Sequence, residues 1–213
     1  MPIDRRREIR VVAVIDADVT DGADAAGLTT LRATLDRVNR TLHPGLREPL
    51  YAKAPDRFDG ALADPAQAPL CLRLLREGFA PRHVRAGVGI GVVEKGDEAG
   101  ERDAYALARR ALQQVIREGG LTRYLGTGEA GDVLLDALCR LVDPVLRARS
   151  GKQWEAVAAY HDLGHQQAVA ARLGVTRQSV GERLAAGRLR DVDDADAAVS
   201  AYLGLTAPRH AAP

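Results

Sequence analysis

Aromatic side chains are scarce: two Phe, five Tyr and one Trp make up 4% of the 213 residues. The single Trp154, with Tyr160, is expected in the core of a helical region, not on a base-stacking platform. Cysteine is nearly absent. Cys71 (in APLCLRLL) and Cys139 (in LDALCRLV) are far apart in apolar contexts. That excludes a disulfide frame or a zinc site and predicts buried free thiols in a cytoplasmic protein. Lysine occurs only at positions 53, 95 and 152, and the net charge is +1, with 30 basic and 29 acidic residues. A globally basic glove for nucleic acid is thereby excluded, and any such face must be local. No apolar run approaches the roughly 20 residues that span a bilayer. The opening MPIDRRREIR carries charge without a following apolar stretch, so no secretory signal is expected there. What is present is ordinary: 46% hydrophobic and 28% charged residues, enough for a real core.

The first 127 residues read as a mixed α/β unit. IRVVAVID (9–16) is a continuous apolar, β-branched run, the pattern of a buried central strand ending at Asp16-Ala17-Asp18. Leu28, Leu31, Leu35, Val38 and Leu42 recur at helical spacing over 26–42, and Pro44-Gly45 stops that helix. Two short strands, 50–54 and 57–63, flank a turn at Pro55-Asp56. Asp64-Pro65 opens a helix to about residue 78. VRAGVGIGVV (84–93) is a strand whose Gly87, Gly89 and Gly91 share one face, expected to admit a closely packed helix. Residues 101–118 form an amphipathic helix, and LTRYLG is a candidate last strand. The order βαββαβ predicts an α+β, ferredoxin-like unit with strand order 4-1-3-2.

From 128 to 206 every periodic segment is helical: 131–149 with Pro144 inside, 152–161, 166–173, 177–186 and 194–203. Residues 207–213 are expected to be a disordered tail. The most specific stretch is QQAVAARLGVTRQSVGERLAAG (166–187). Small Ala170 allows close approach, Gly174 permits a tight turn, and Thr176 can cap the second helix. Val169, Leu173, Val175, Val180 and Leu184 supply a shared core. The segment resembles bacterial helix-turn-helix domains across its whole length, and the resemblance implies double-stranded DNA as partner. In that family the second helix enters the major groove. Here its leading residues are Thr176, Arg177, Gln178 and Ser179, followed by Glu182 and Arg183. Arginine reads guanine and glutamine reads adenine. Arg172, Arg177, Arg183, Arg188 and Arg190 stand against the one acid Glu182 between 165 and 190, a local +4 suited to phosphates. The acidic run DVDDAD (191–196) is expected to face away from DNA and to open the last helix.

Acids also gather in the first unit. Asp16 and Asp18 end strand 1, while Asp56 and Asp59 sit at the hairpin that a 4-1-3-2 sheet places beside it. Asp21 and Asp24 add charge in the next loop. Two carboxylates at that place can hold divalent metal against a nucleoside triphosphate, and Asp18 and Asp56 are the candidate metal pair. His161 and His165 are four apart, but Gly164 interrupts the helix between them, and no third ligand is evident.

The succession AVIDADVTDG, APDRFDGAL, VRAGVGIGVV, DAYALARRAL and then the helix-turn-helix resembles the SatD family over about 9–203. The family joins a nucleotidyl-cyclase or GGDEF-like domain to a C-terminal DNA-binding domain. The resemblance implies Mg2+ with a nucleotide at Asp16, Asp18, Asp56 and Asp59. The sequence departs from the cyclase pattern at informative places. Arg57 stands where the hairpin Glu is expected and Pro55 where a Gly is. The N-x-A-x-R pair falls on Ala106 and Arg110, so its Asn is missing. Losing those groups removes much of the positioning and charge stabilisation of phosphoryl transfer, and no cyclase turnover is expected. The expected protein is a homodimeric, cytoplasmic DNA-binding regulator with a degenerate cyclase-like domain for dimerisation or nucleotide sensing. The alternative is a metal-dependent nucleotidyl cyclase or transferase with a helical regulatory tail.

Overall fold

A computed structural model describes residues 9–20, 25–94 and 98–206. Asp21, Asp24 and the expected disordered tail (207–213) lie outside the described residues. The elements are β1 (Ile9–Val19), α1 (Ala25–Leu42), β2 (Leu46–Ala54), β3 (Arg57–Leu62), α2 (Ala68–Phe79), β4 (Val84–Glu94) and α3 (Glu98–Glu118). They continue with β5 (Thr122–Leu125), α4 (Glu129–Ala148), α5 (Gly151–Leu163), α6 (Gln166–Leu173), α7 (Arg177–Ala186) and α8 (Leu189–Thr206). The fold is mixed α/β, with a five-stranded sheet ordered β2-β3-β1-β4-β5 and eight α-helices among the described residues. β5 is parallel to β4, and the other pairings are antiparallel.

The apolar run that predicts a central strand lies at the middle of the sheet. β1 alternates between two cores, as the period of two requires. Val11, Ala13, Ile15, Ala17 and Val19 pack with α1 and α2, while Val12 and Val14 pack with Ala104 and Ala108 of α3. β1 runs three residues beyond Asp16, because Asp16 and Asp18 still pair with β3 and β4. The glycine face of β4 lies against α3. A Cβ on Gly87 or Gly89 would run into the carbonyl oxygens of Ala108 or Ala104. On the opposite layer, Asn39 of α1 holds the irregular part of β2. Its amide donates to Leu50 O at 2.9 Å and accepts from Leu50 N at 2.8 Å. Leu31, Leu35, Val38 and Leu42 are buried as their spacing predicts, but Leu28 is exposed.

The expected division at 127/128 is crossed by the main core. Leu135 and Cys139 of α4 and Val199 and Leu203 of α8 pack into the same cluster as the sheet's α1–α2 face. The separate small core belongs to α5, α6 and α7: Ala156, Val157, Ala159, Val169, Ala170, Val180 and Leu184. Asp143, one residue before the helical Pro144, accepts from Leu121 N at 2.6 Å and Thr122 N at 3.2 Å, anchoring the start of β5 on α4. Arg149 leaves the end of α4 buried, donates to Gly187 O at 2.7 Å and stacks 4.8 Å from the Trp154 ring centroid. Trp154 and Tyr160 are thus part of the helical packing. Cys71 and Cys139 are free and buried, and burial pushes both thiols up, Cys139 to about 12. Neither is poised as a nucleophile. Among the described residues, no helix is long and apolar enough to cross a membrane.

Candidate functional site

Side-chain alternation puts Asp16 and Asp18 on the face of β1 that α3 covers further along. The register sets Asp16 opposite Asp59 and Gly87, and Asp18 opposite Arg57 and Arg85. Asp16, Asp18 and Asp59 are all buried, Asp59 completely. A buried carboxylate is costly unless paired. Each has a cation. Arg85 Nε and Nη2 donate to the two oxygens of Asp18 at 2.7 and 2.8 Å. Arg57 Nη2 reaches both oxygens of Asp16 at 3.5 Å. Lys53 forms an ion pair with Asp59. Asp56 occupies the turn, half-buried, and its carbonyl accepts from Val19 N at 2.9 Å.

The strand ends therefore bring Asp16, Asp18 and Asp59 together, while Asp56 contributes its backbone to the turn. Asp18, one of the expected metal pair, has both oxygens engaged by Arg85. Among the described residues, no group of three or more His, Cys, Asp or Glu side chains is arranged to hold a metal ion. These side chains do not fit Mg2+ as they stand. Sequence reading missed Lys53 and Arg85 as the partners of these acids. Arg85 was within reach of it, because strand alternation puts Arg85 and Gly87 on the same face.

The second candidate is the pair α6–α7. Gly174 adopts φ +64, the left-handed conformation that ends α6, and its N–H returns to Ala170 O. Thr176 caps α7, its hydroxyl accepting from Ser179 N at 3.1 Å. Val180 and Leu184 turn inward with Val169 and Ala170. This leaves Arg177, Gln178 and Glu182 exposed and Ser179 and Arg183 half-buried. Gln178 Nε2 donates to Glu182 Oε1 at 3.0 Å, one helical turn on.

Two of the patch arginines are engaged by acids. Arg172 pairs with Asp162 at 3.1 Å, and Arg188 pairs with Asp191. The local positive charge is smaller than the 165–190 segment alone implies, because both acids lie outside it. The acidic run begins inside α8, which starts at Leu189 and not at Asp194. Asp191, Asp193 and Asp194 line a groove with Arg188 and Arg190 beside the second half of α7. They lie next to α7 rather than away from it, while Arg177 and Gln178 stand at its other end.

His161 is the unexpected member of this region. Its Nδ1 lies 2.6 Å from Glu77 Oε1 on α2, and its Nε2 lies 3.1 Å from Asp193 Oδ1 on α8. Arg37 of α1 reaches the buried Glu77 at 3.6 Å and Asp162 at 3.0 Å. This chain of charges joins α1 and α2 to α5, α6 and α8. His165 is elsewhere, capping α6 through Nδ1. Both nitrogens of His161 face acceptors, an arrangement only the imidazolium satisfies. Burial disfavours that charge, but the hydrogen bonds to Asp193 and Glu77 outweigh it and raise the pKa above the ordinary 6.5. The linked stability is complete below the unfolded value and is lost as pH rises through the folded one. His161→Gln should therefore lower the urea midpoint more at pH 6 than at pH 8. An equal loss at both pH values would show that the ring is held neutral.

No protein-family model matches the chain, and a search of curated proteins finds no match. Among solved structures, the chain is similar to a regulator of polyketide synthase expression from Bifidobacterium adolescentis. The identity is 14% over 92% of this chain and 81% of that one, with a TM-score of 0.33. It is also similar to the GGDEF domain of a Pseudomonas aeruginosa protein, at 19% identity over 52% of this chain and 80% of that one, with a TM-score of 0.34.

Proposed function

We propose that the chain is a dimeric, sequence-specific DNA-binding transcriptional regulator. In this reading 166–187 is a helix-turn-helix, and the preceding ferredoxin-like unit is a cyclase-like domain used for dimerisation or nucleotide or ligand sensing. The observation that carries it is the division of α7. Its inward side is spent on the small core, and its capped N-terminal end presents Arg177 and Gln178 to solvent. Those two side chains have the donors that read guanine and adenine edges. Arg183 and Arg190 would serve phosphates, which position a protein without specifying sequence. Two such units about 34 Å apart would read two half-sites.

A nucleotide is the ligand class implied for the cyclase-like domain. It would act at the Asp16–Asp18–Asp59 face, where the 3.5 Å contact of Arg57 with Asp16 is the longest of the three ion pairs. The enzymatic alternative needs those carboxylates free for metal. Their pairing with Lys53, Arg57 and Arg85 favours the regulator.

The deciding experiment is selection of genomic DNA fragments on the purified full chain, followed by sequencing. Enrichment of one inverted repeat is the expected result. Uniform retention that disappears with salt would mean phosphate contact alone and would overturn sequence-specific regulation.

A further inference from the structure

We infer that the outer face of α4 is a self-association surface that pairs antiparallel with α4 of a second copy of this chain. α4 is apolar on both sides. Leu135 and Cys139 face the main core. On the opposite side, Leu134, Ala137, Leu141, Pro144 and Ala148 are exposed. Their intervals of three and four residues are those of a heptad seam, the pattern by which one helix packs along another. Leu141 is 73% exposed, the highest value among the exposed large apolar side chains of the described residues, and Val133, next to Leu134, follows at 66%. A contiguous apolar stripe of this kind marks a contact surface.

The charges beside the stripe name its occupant and orientation. Glu129, Asp136, Arg140 and Arg147 lie at intervals of seven, four and seven, and so share one flank of the helix. In chain order they are acid, acid, base, base. In a parallel two-fold pair this flank of one helix lies across the seam from the same flank of the other, so these charges do not meet. An antiparallel copy turned about the middle of α4 sets Glu129 beside Arg147, with Leu134 over Leu141. This self-complementarity is what a two-fold, isologous contact requires. Asp136 and Arg140 are spent within the chain: Asp136 accepts from Arg123 at 2.6 Å and from Arg140 at 2.8 Å, and Arg140 also donates to Glu118 at 2.9 Å. The exposed Glu129 and Arg147, the latter also donating to Gly119 O, therefore carry the charge match.

The inference deepens the dimeric reading of function and rests on it for the oligomeric state alone. The experiment uses no DNA, so its failure leaves the α7 assignment standing. The full chain is measured by sedimentation equilibrium across concentrations, and its folding is checked by circular dichroism. The wild type should be a dimer. Leu141→Glu should raise the dimer dissociation constant about 100-fold or more, since the symmetric contact loses two buried leucines. Arg147→Glu should weaken the dimer, and adding Glu129→Arg should restore it, because the swap recreates both pairs only in the antiparallel arrangement. A monomeric wild type would overturn the inference. So would a dimer indifferent to Leu141→Glu, or a double charge swap no better than the single one.

Discussion

Replacing Arg177 and Gln178 together by alanine should lower affinity for the selected DNA at least ~30-fold while leaving the protein as stable as before. The magnitude follows from base recognition: a bidentate contact discriminates by about 1–3 kcal/mol, and two are removed. The near-silence in stability follows from the structure. Both side chains are exposed in the first turn of α7, and the core of that helix is Val180 and Leu184. The loss there is the Gln178–Glu182 pair, worth about 0.2–0.5 kcal/mol, offset by alanine's helix propensity. Thr176→Ala is the contrasting variant. It removes the cap on Ser179 N and should cost about 1 kcal/mol of stability. Binding isotherms and urea melts on the same preparations separate the two effects. Retained discrimination between the selected and scrambled sites in the double variant would show that another element reads the bases. A uniform loss across all sequences, with a shallower salt dependence, would place Arg177 on a phosphate.

Gly89→Ala should be, with Gly87→Ala, among the most damaging methyl groups that can be added to the sheet. Its Cβ would run into Ala104 O and stand 2.5 Å from Ala108 N. Both are backbone atoms of α3, so no rotamer change relieves the contact. The helix must lift from β4, and Val12 and Val14 lose their packing against Ala104 and Ala108. Overpacking typically costs 1–3 kcal/mol, and this site belongs at about 3 because the obstacle is rigid. For a chain of this size that is a fall of roughly 6–12 °C in Tm. Gly151→Ala is the matching control. It adds the same methyl at the start of α5 with nothing within 4 Å, and should be neutral or slightly stabilising. An unchanged melting temperature in Gly89→Ala would mean that α3 sits farther from the strand than described.

Much of this architecture could be read from residue order. The unbroken apolar run of 9–16 marked a strand covered on both faces, because only such a strand can dispense with polar alternation. Gly87, Gly89 and Gly91 announced close helix packing, since alternate positions share a face. Gly174 and Thr176 announced a turn and a cap, because a left-handed residue and an N–H acceptor are local needs with few solutions. The limits of elements were less legible. β1 passes through Asp16 and Asp18, and α8 starts at Leu189, because strand pairing and helix packing continue across residues with poor local propensity.

The sequence by itself determined the local conformations, the inward and outward faces of each element, and the polar lead of α7. Each of these depends on residues within a few positions of one another. Only the tertiary structure decided what those faces meet. It assigned Arg85 to Asp18 and Lys53 to Asp59, set His161 between Glu77 and Asp193, and drew α4 and α8 into the main core. The charged partners among these are separated in the chain by up to 84 residues, as His161 is from Glu77. The requirement that a buried charge be paired says that such a partner exists, but the chain path chooses which one.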